Sequence, residues 1–127
     1  MTDRPKPELA VSAAIFKDGR VLLVRRAQAP AKDVWTLPGG RVEIGETLVE
    51  CVRREIAEET GLGIDVIGLA GYREMILAAD VGARGRHFVI LPFAAQWRSG
   101  EVTLNEELAE FRWTAPDAAC YAPRTTI

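Results

Sequence analysis

Apolar and small residues fill Leu9–Phe16, interrupted only by Ser12. That is the pattern of a strand buried on both faces. Lys17-Asp18-Gly19-Arg20 follows with an Asp-Gly hairpin signal, and Val21–Val24 is a second apolar strand ending in Arg25-Arg26. The two strands are expected to pair. Ala27–Asp33 reads as a loop, Val34–Leu37 as a short strand stopped by Pro38-Gly39-Gly40, and Arg41–Ile44 as another short extended piece.

The period then changes to that of a helix. Thr47 or Gly45 is the expected cap, Glu46 lies near the positive N-terminal end, and Gly61 closes the helix. Beyond it, Ile64–Ala79 predicts one bent strand or two, punctuated by Gly68 and Gly71. Asp80–Arg86 is a basic, glycine-bearing loop. His87–Trp97 is a long apolar strand whose Pro92 suggests an edge or a bulge. Ser99-Gly100 turns the chain, Asn105–Ala109 suits one helical turn, and Phe111–Thr114 is a last short strand. Pro116–Cys120 is expected to start a helix. Strands on both sides of one long helix predict a mixed α/β domain over residues 9–127, preceded by a loose polar arm at 1–8.

Composition narrows the class. The 127 residues suit one domain with a real core. A net charge of −2 argues against a surface that coats nucleic acid. Cys51 and Cys120 form no metal-ligand pattern, and two cysteines without a signal segment point to a reducing compartment. No apolar run approaches membrane-spanning length. The expectation is a soluble cytoplasmic protein that binds neither nucleic acid nor membrane.

The helix itself carries the chemistry. Glu55, Glu58 and Glu59 are spaced i, i+3, i+4, as neighbours on one surface. At about 100° per residue, Glu55 and Glu59 fall within roughly 20° of Leu48, so an inward stripe begun by Leu48 and Val52 turns acidic. Carboxylates also sit where the helix dipole favours cations. Pairing with Arg53 and Arg54 on a solvated surface is the ordinary alternative. A bound divalent cation resolves the repulsion, and hard oxygen ligands imply Mg²⁺, with Mn²⁺ able to substitute. The implied chemistry is metal-assisted attack of water on a phosphoryl group.

Gly40, five residues, Glu46, seven residues, Arg54-Glu55-Ile56, one residue, Glu58-Glu59, one residue, Gly61-Leu62 resembles the Nudix box at every defining position. Leu23–Arg26, Trp35–Gly40 and Glu110–Trp113 look like the usual Nudix flanks. The resemblance implies an α/β/α sandwich with a mixed sheet, and hydrolysis of a nucleoside diphosphate linked to another group. It implies that Glu55, Glu58 and Glu59 ligate the metal with the Gly39 carbonyl, and that Glu46 pairs with Arg54 to orient those acids. Glu59 or Glu55 would position the attacking water. A further base or ligand is expected before the last strand; Glu107 is the choice, with Glu106 and Glu110 as rivals.

Arg26 resembles a phosphate-contacting position, and Trp35 could stack on a base or ribose; a surface arginine and a packing tryptophan are the plain alternatives. His87 is expected to be structural. Arg84 and Arg86 sit in a basic loop that could meet a terminal phosphate, a solvated loop being the favoured reading, and Phe93 and Trp97 are expected in the core. The short bacterial ADP-ribose pyrophosphatases are the subgroup most resembled. An 8-oxo-dGTP or altered-triphosphate pyrophosphatase is the alternative, and dinucleoside-polyphosphate or cap hydrolysis ranks lower. A nucleotide-sensing domain without turnover fits less well with an intact box. The C-terminal helix is expected to be short or absent, since Pro123 would break it; either the sandwich is thin on that side or a second subunit covers it, and a homodimer is the expectation.

Overall fold

The computed structural model describes residues 6–29, 31–78 and 85–117. β1 (Glu8–Lys17) and β2 (Arg20–Arg26) form the expected antiparallel hairpin. Asp18 and Gly19 both take positive φ, 51° and 75°, the turn that matches strand twist and that Asp-Gly tolerates.

β1 runs parallel to β7 (Arg86–Ser99) from Glu8 opposite Phe88 to Phe16 opposite Gln96. β5 (Gly63–Leu69) and β6 (Arg73–Leu77) pair antiparallel with β7. β2 carries β3 (Trp35–Thr36) and β8 (Leu108–Thr114), both antiparallel. Among the described residues the result is one mixed eight-stranded sheet.

Two strands share one edge of β1. β4 (Gly39–Arg41) pairs with Ala10–Ser12, and β2 pairs with Phe16 and Lys17. The sheet therefore forks: β4 stays on β1 while β3 follows β2. The Pro38 carbonyl accepts from Ala13 N at 2.9 Å where the two branches part. The fork is what makes room for a cleft.

Both faces of the sheet are apolar, as the unbroken run in β1 required. Val11, Ala13 and Ile15 pack with Leu22, Val24, Phe93 and Ala95 beneath helix α1 (Leu48–Thr60), whose Cys51, Val52 and Ile56 complete that core. Ala10, Phe88 and Ile90 form a second, smaller cluster with Met75 and Leu77. By strand alternation it lies on the face away from α1.

Several expectations need correction. The segment at 1–8 is not loose throughout, because Glu8 begins β1 and binds Arg41 and Arg86. The extended piece placed at Arg41–Ile44 is shifted to Gly39–Arg41: a Cβ at Gly39 would strike the Val11 carbonyl, so glycine is what lets β4 approach β1. Asn105–Ala109 is not a helical turn. The Asn105 side chain accepts from Glu107 N at 3.0 Å, turning the chain, and Leu108 and Ala109 already belong to β8.

Pro92 lies within β7, which has strands on both sides, and not on an edge. Its carbonyl accepts from Ala70 N at 2.8 Å, so its missing N–H faces the break between β5 and β6. No ladder bond is lost there, which is why an interior strand tolerates proline. The segment Ile64–Ala79 is accordingly two strands. The helix expected to start over Pro116–Cys120, and with it the short or absent C-terminal helix, falls on positions that lie mostly outside the described residues.

Candidate functional site

α1 starts and stops where its end residues dictate. Thr47 Oγ1 accepts from Glu50 N at 3.1 Å while Glu50 Oε1 accepts from Thr47 N at 2.8 Å, a closed capping box. Gly61, at φ 74°, ends it with its N–H on the Ala57 carbonyl at 3.0 Å. The last turn carries no basic residue.

The buried face of the helix is Cys51, Val52, Ile56, Glu59 and Thr60. Glu59 thus continues the inward stripe as a carboxylate only 5% exposed. Its Oε1 accepts from Gly39 N at 3.1 Å. Burial, then the nearby Glu55 charge and a hydrogen bond with Glu107, push its pKa up to about 8. Glu55 is also raised, by burial first, with Glu58 and Glu107 adding to the effect against the opposing Arg54.

Gly40 gives Glu55 its place, since a Cβ there would run into the Glu55 carboxylate. The two glycines of β4 thus do different work: Gly39 fits the strand to β1, and Gly40 clears space for an acid.

Arg54 organises the rest. Its Nε and Nη2 donate to the two oxygens of Glu46 at 2.6 and 2.9 Å. Its Nη1 donates to Glu55 at 2.9 Å and to Glu58 at 3.2 Å, and Nη2 reaches the Arg41 carbonyl at 3.2 Å. The Arg54 guanidinium holds Glu46 down to about 2 and is itself raised by Glu46. A planar fork spanning four groups suits arginine and not lysine.

The structure brings Glu55, Glu59 and Glu107 to one cleft of about 860 Å³, with Gly39, Gly40 and Arg26 in its lining. Glu58 stands apart, 56% exposed and turned onto Arg54. Among the described residues no three His, Cys, Asp or Glu side chains close into a finished cation cage. The donors still fit a hard divalent cation. A buried carboxylate pressed by two others has an electrostatic need that a cation meets.

Of the rivals to Glu107, Glu110 pairs with Arg25 at 3.1 Å, and the Glu106 carbonyl accepts from Gln28 at 3.2 Å. Trp35 does not line the cleft; the Arg112 guanidinium lies over its ring at 4.7 Å. His87 bonds Glu74 at 2.8 Å, Phe93 is in the core, and Trp97 packs against it. Arg84 lies outside the described residues. Arg86 is in a strand and held by Glu8 at 2.7 Å.

Two cleft features are not evident from the sequence. Thr36 is 3% exposed, and its Oγ1 finds no partner among the described residues although the residue lines the cleft. Glu8, Arg86 and Phe88 form the far end of the cleft. The alternation of Arg86 and Phe88 along one apolar strand is the available signal for a shared face.

The NUDIX domain matches residues 6–126. The chain belongs to the Nudix family. It is 39% identical over 104 residues to an ADP-ribose pyrophosphatase of Methanocaldococcus jannaschii, covering 82% of this chain and 59% of that protein. It is 29% identical over 125 residues to the NAD-capped RNA hydrolase NudC of Photobacterium profundum, covering 97% of this chain and 44% of that one. This Nudix chain therefore spans about half the length of these relatives. A crystal structure of a MutT NUDIX hydrolase from Burkholderia pseudomallei superimposes with a TM-score of 0.79 at 35% identity, over 88% of this chain and 85% of the other. No helix among the described residues is long and apolar enough to cross a membrane.

Proposed function

We propose that this Nudix protein hydrolyses the pyrophosphate bond of a nucleoside diphosphate linked to a second group, with ADP-ribose as the leading substrate. The observation that carries this is the buried Glu59 carboxylate, set in a cleft against Glu107 and against Glu55, which the Glu46-bound Arg54 holds in place. Mg²⁺, which Mn²⁺ can replace, would be held by Glu55, Glu58, Glu59 and the Gly39 carbonyl. When bound, it would polarise a phosphoryl oxygen and lower the pKa of water. Glu59 or Glu55 orients the attacking water and takes its proton, with Glu107 beside them. Water oxygen bonds to phosphorus, the bridging P–O bond breaks, and ADP-ribose yields AMP and ribose 5-phosphate. Arg26, at the cleft wall, would steady a phosphate.

The likeness to a mouse protein named 8-oxo-dGDP phosphatase supports a second reading, a pyrophosphatase of 8-oxo-dGTP or another altered triphosphate. In either case the reading is of a cytoplasmic homodimer working on a small nucleotide and not on nucleic acid. The test is a Mg²⁺-dependent hydrolysis screen over ADP-ribose, other nucleotide sugars, 8-oxo-dGTP, ordinary triphosphates and diadenosine polyphosphates, with Glu59→Gln as control. Turnover should collapse in the variant. Nucleotide binding without hydrolysis of any candidate would sink the enzyme reading. Light scattering at micromolar concentration tests the dimer, which a monomeric mass would exclude.

A further inference from the structure

The end of the cleft away from the acids has a different chemistry. Its floor is the small apolar cluster of Phe88, Ile90, Met75 and Leu77. Over that floor the Arg86 guanidinium lies 4.6 Å from the Phe88 ring centre. Two hydrogen bonds to Glu8 Oε2, 3.1 Å from Nε and 2.7 Å from Nη2, hold it there. The other Glu8 oxygen accepts from Arg41 at 2.9 Å, which fixes the carboxylate in turn. Phe88 is 8% exposed, whereas the Arg86 side chain is 40% exposed. The ring is thus covered while the guanidinium keeps an open side.

A guanidinium that is flat, bonded along one edge and backed by an aromatic ring presents a rigid planar surface. Such a surface takes another planar π system on its free side. It has little rotamer freedom left to lose when it does so. Glu8 occupies the Nε–Nη2 edge. The face remains on offer to a base and the Nη1 side to a phosphate, two contacts that the Arg86→Lys and ribose 5-phosphate arms below separate.

We infer that the Phe88–Arg86 stack, held by Glu8, is the platform on which the heterocyclic base of the nucleotide lies. This rests on the pyrophosphatase reading for the reaction but concerns a different part of the ligand. Glu8 is a positioning residue here: it acts through Arg86. The platform favours substrates whose departing or retained half carries a base, and it gives nothing to a phosphorylated sugar alone. The stack is tolerant of base identity, because every base has a π face.

Binding to the full chain tests this without requiring turnover. AMP and ribose 5-phosphate are titrated in the presence of Mg²⁺, following heat and the adenine absorbance band. AMP should bind about tenfold more tightly than ribose 5-phosphate, with loss of adenine absorbance on stacking. Arg86→Ala should remove both the preference and the absorbance change, leaving ribose 5-phosphate affinity unaltered. Arg86→Lys, which keeps the charge but not the plane, should behave like Arg86→Ala. Glu8→Gln should weaken AMP by a smaller factor. Equal loss of both ligands in Arg86→Ala, or full AMP affinity in Arg86→Lys, would mean a charge contact with phosphate and overturn the platform. Equal affinity of the wild type for the two ligands would overturn it too. Failure of the hydrolysis screen with these binding results intact would reject the enzyme reading and leave the platform standing.

Discussion

Arg54 grips Glu46 through two nitrogens, at 2.6 and 2.9 Å, and faces Glu55 and Glu58 with the third. One guanidinium therefore sets the position of the acids without standing in the cleft lining itself. Arg54→Lys keeps the charge and loses the fork. Steady-state kinetics should show kcat lowered by roughly 10- to 100-fold with KM little changed, since the loss falls on the geometry of the reacting state. Circular dichroism should show the fold intact. A variant that keeps more than half of wild-type kcat would remove Arg54 from the positioning role.

Glu59 makes the metal-free protein sensitive to pH. Its carboxyl titrates near 8 when folded, well above the ordinary carboxylate range. Between those values the folded state binds the extra proton, so stability is highest at the acid end and falls as pH rises toward 8. Glu55 is shifted the same way. Glu46, held at about 2 by Arg54, acts in the opposite sense and only below the ordinary carboxylate range. Thermal unfolding in EDTA should show wild type losing stability across this window, on the order of a few kcal/mol in total. Glu59→Gln should be less steep there, with Glu55 still contributing, and more stable than wild type at pH 8. A flat wild-type profile would contradict the buried carboxyl.

Divalent metal should reverse that trend. A cation that binds only the folded, ionised site stabilises by mass action. Adding Mg²⁺ should therefore raise the melting temperature more at pH 8 than at pH 5.5, and Glu59→Gln should lose most of the increment. An equal increment in the variant at both pH values would place the cation elsewhere.

The neighbouring glycines should fail in different ways. At Gly39 a Cβ meets backbone of β1, and at Gly40 it meets a carboxylate. Gly39→Ala is expected to destabilise by about 1–3 kcal/mol, as overpacking does. Gly40→Ala should fold and melt much like wild type but lose activity, because Glu55 must leave its place. Urea unfolding and turnover measured on the same samples decide this; the reverse order of effects would contradict the two roles.

Thr47→Ala opens the capping box at the start of α1. A loss of about 1 kcal/mol is expected, with kcat unchanged. Urea midpoints measure it, and an unaltered midpoint would mean that the box adds nothing.

Much of this is legible in the sequence. Thr47 and Gly61 announce both ends of the helix because caps are local chemistry. The wheel puts Glu59 on the buried side because helical period does not depend on context. Glu107 can be chosen over its neighbours only by resemblance, and its place beside Glu59 comes from long-range pairing of β8 with β2. Trp35 looks like a stacking residue until the same pairing puts Arg112 across its ring. Glu8 is hidden for a similar reason: it sits at a strand end whose partners, Arg41 and Arg86, are 33 and 78 positions away. Pro92 misleads because an interior strand rarely offers a proline a gap in the opposing ladder.

That gap divides the work of the sheet's outer wall. Ile64 and Val66 of β5 belong to the core under α1, whereas Met75 and Leu77 of β6 belong to the cluster at the far end of the cleft. Both strands are fastened to β7, and the turn at Ala70–Tyr72 between them answers to neither. Changes near Gly71 therefore act on the cleft through Met75 and Leu77 of β6, which line it, and leave the helix and its acids in place. On the platform reading, the end of the cleft that holds the base hangs on a different strand from the end that holds the acids, so one can be altered without rebuilding the other.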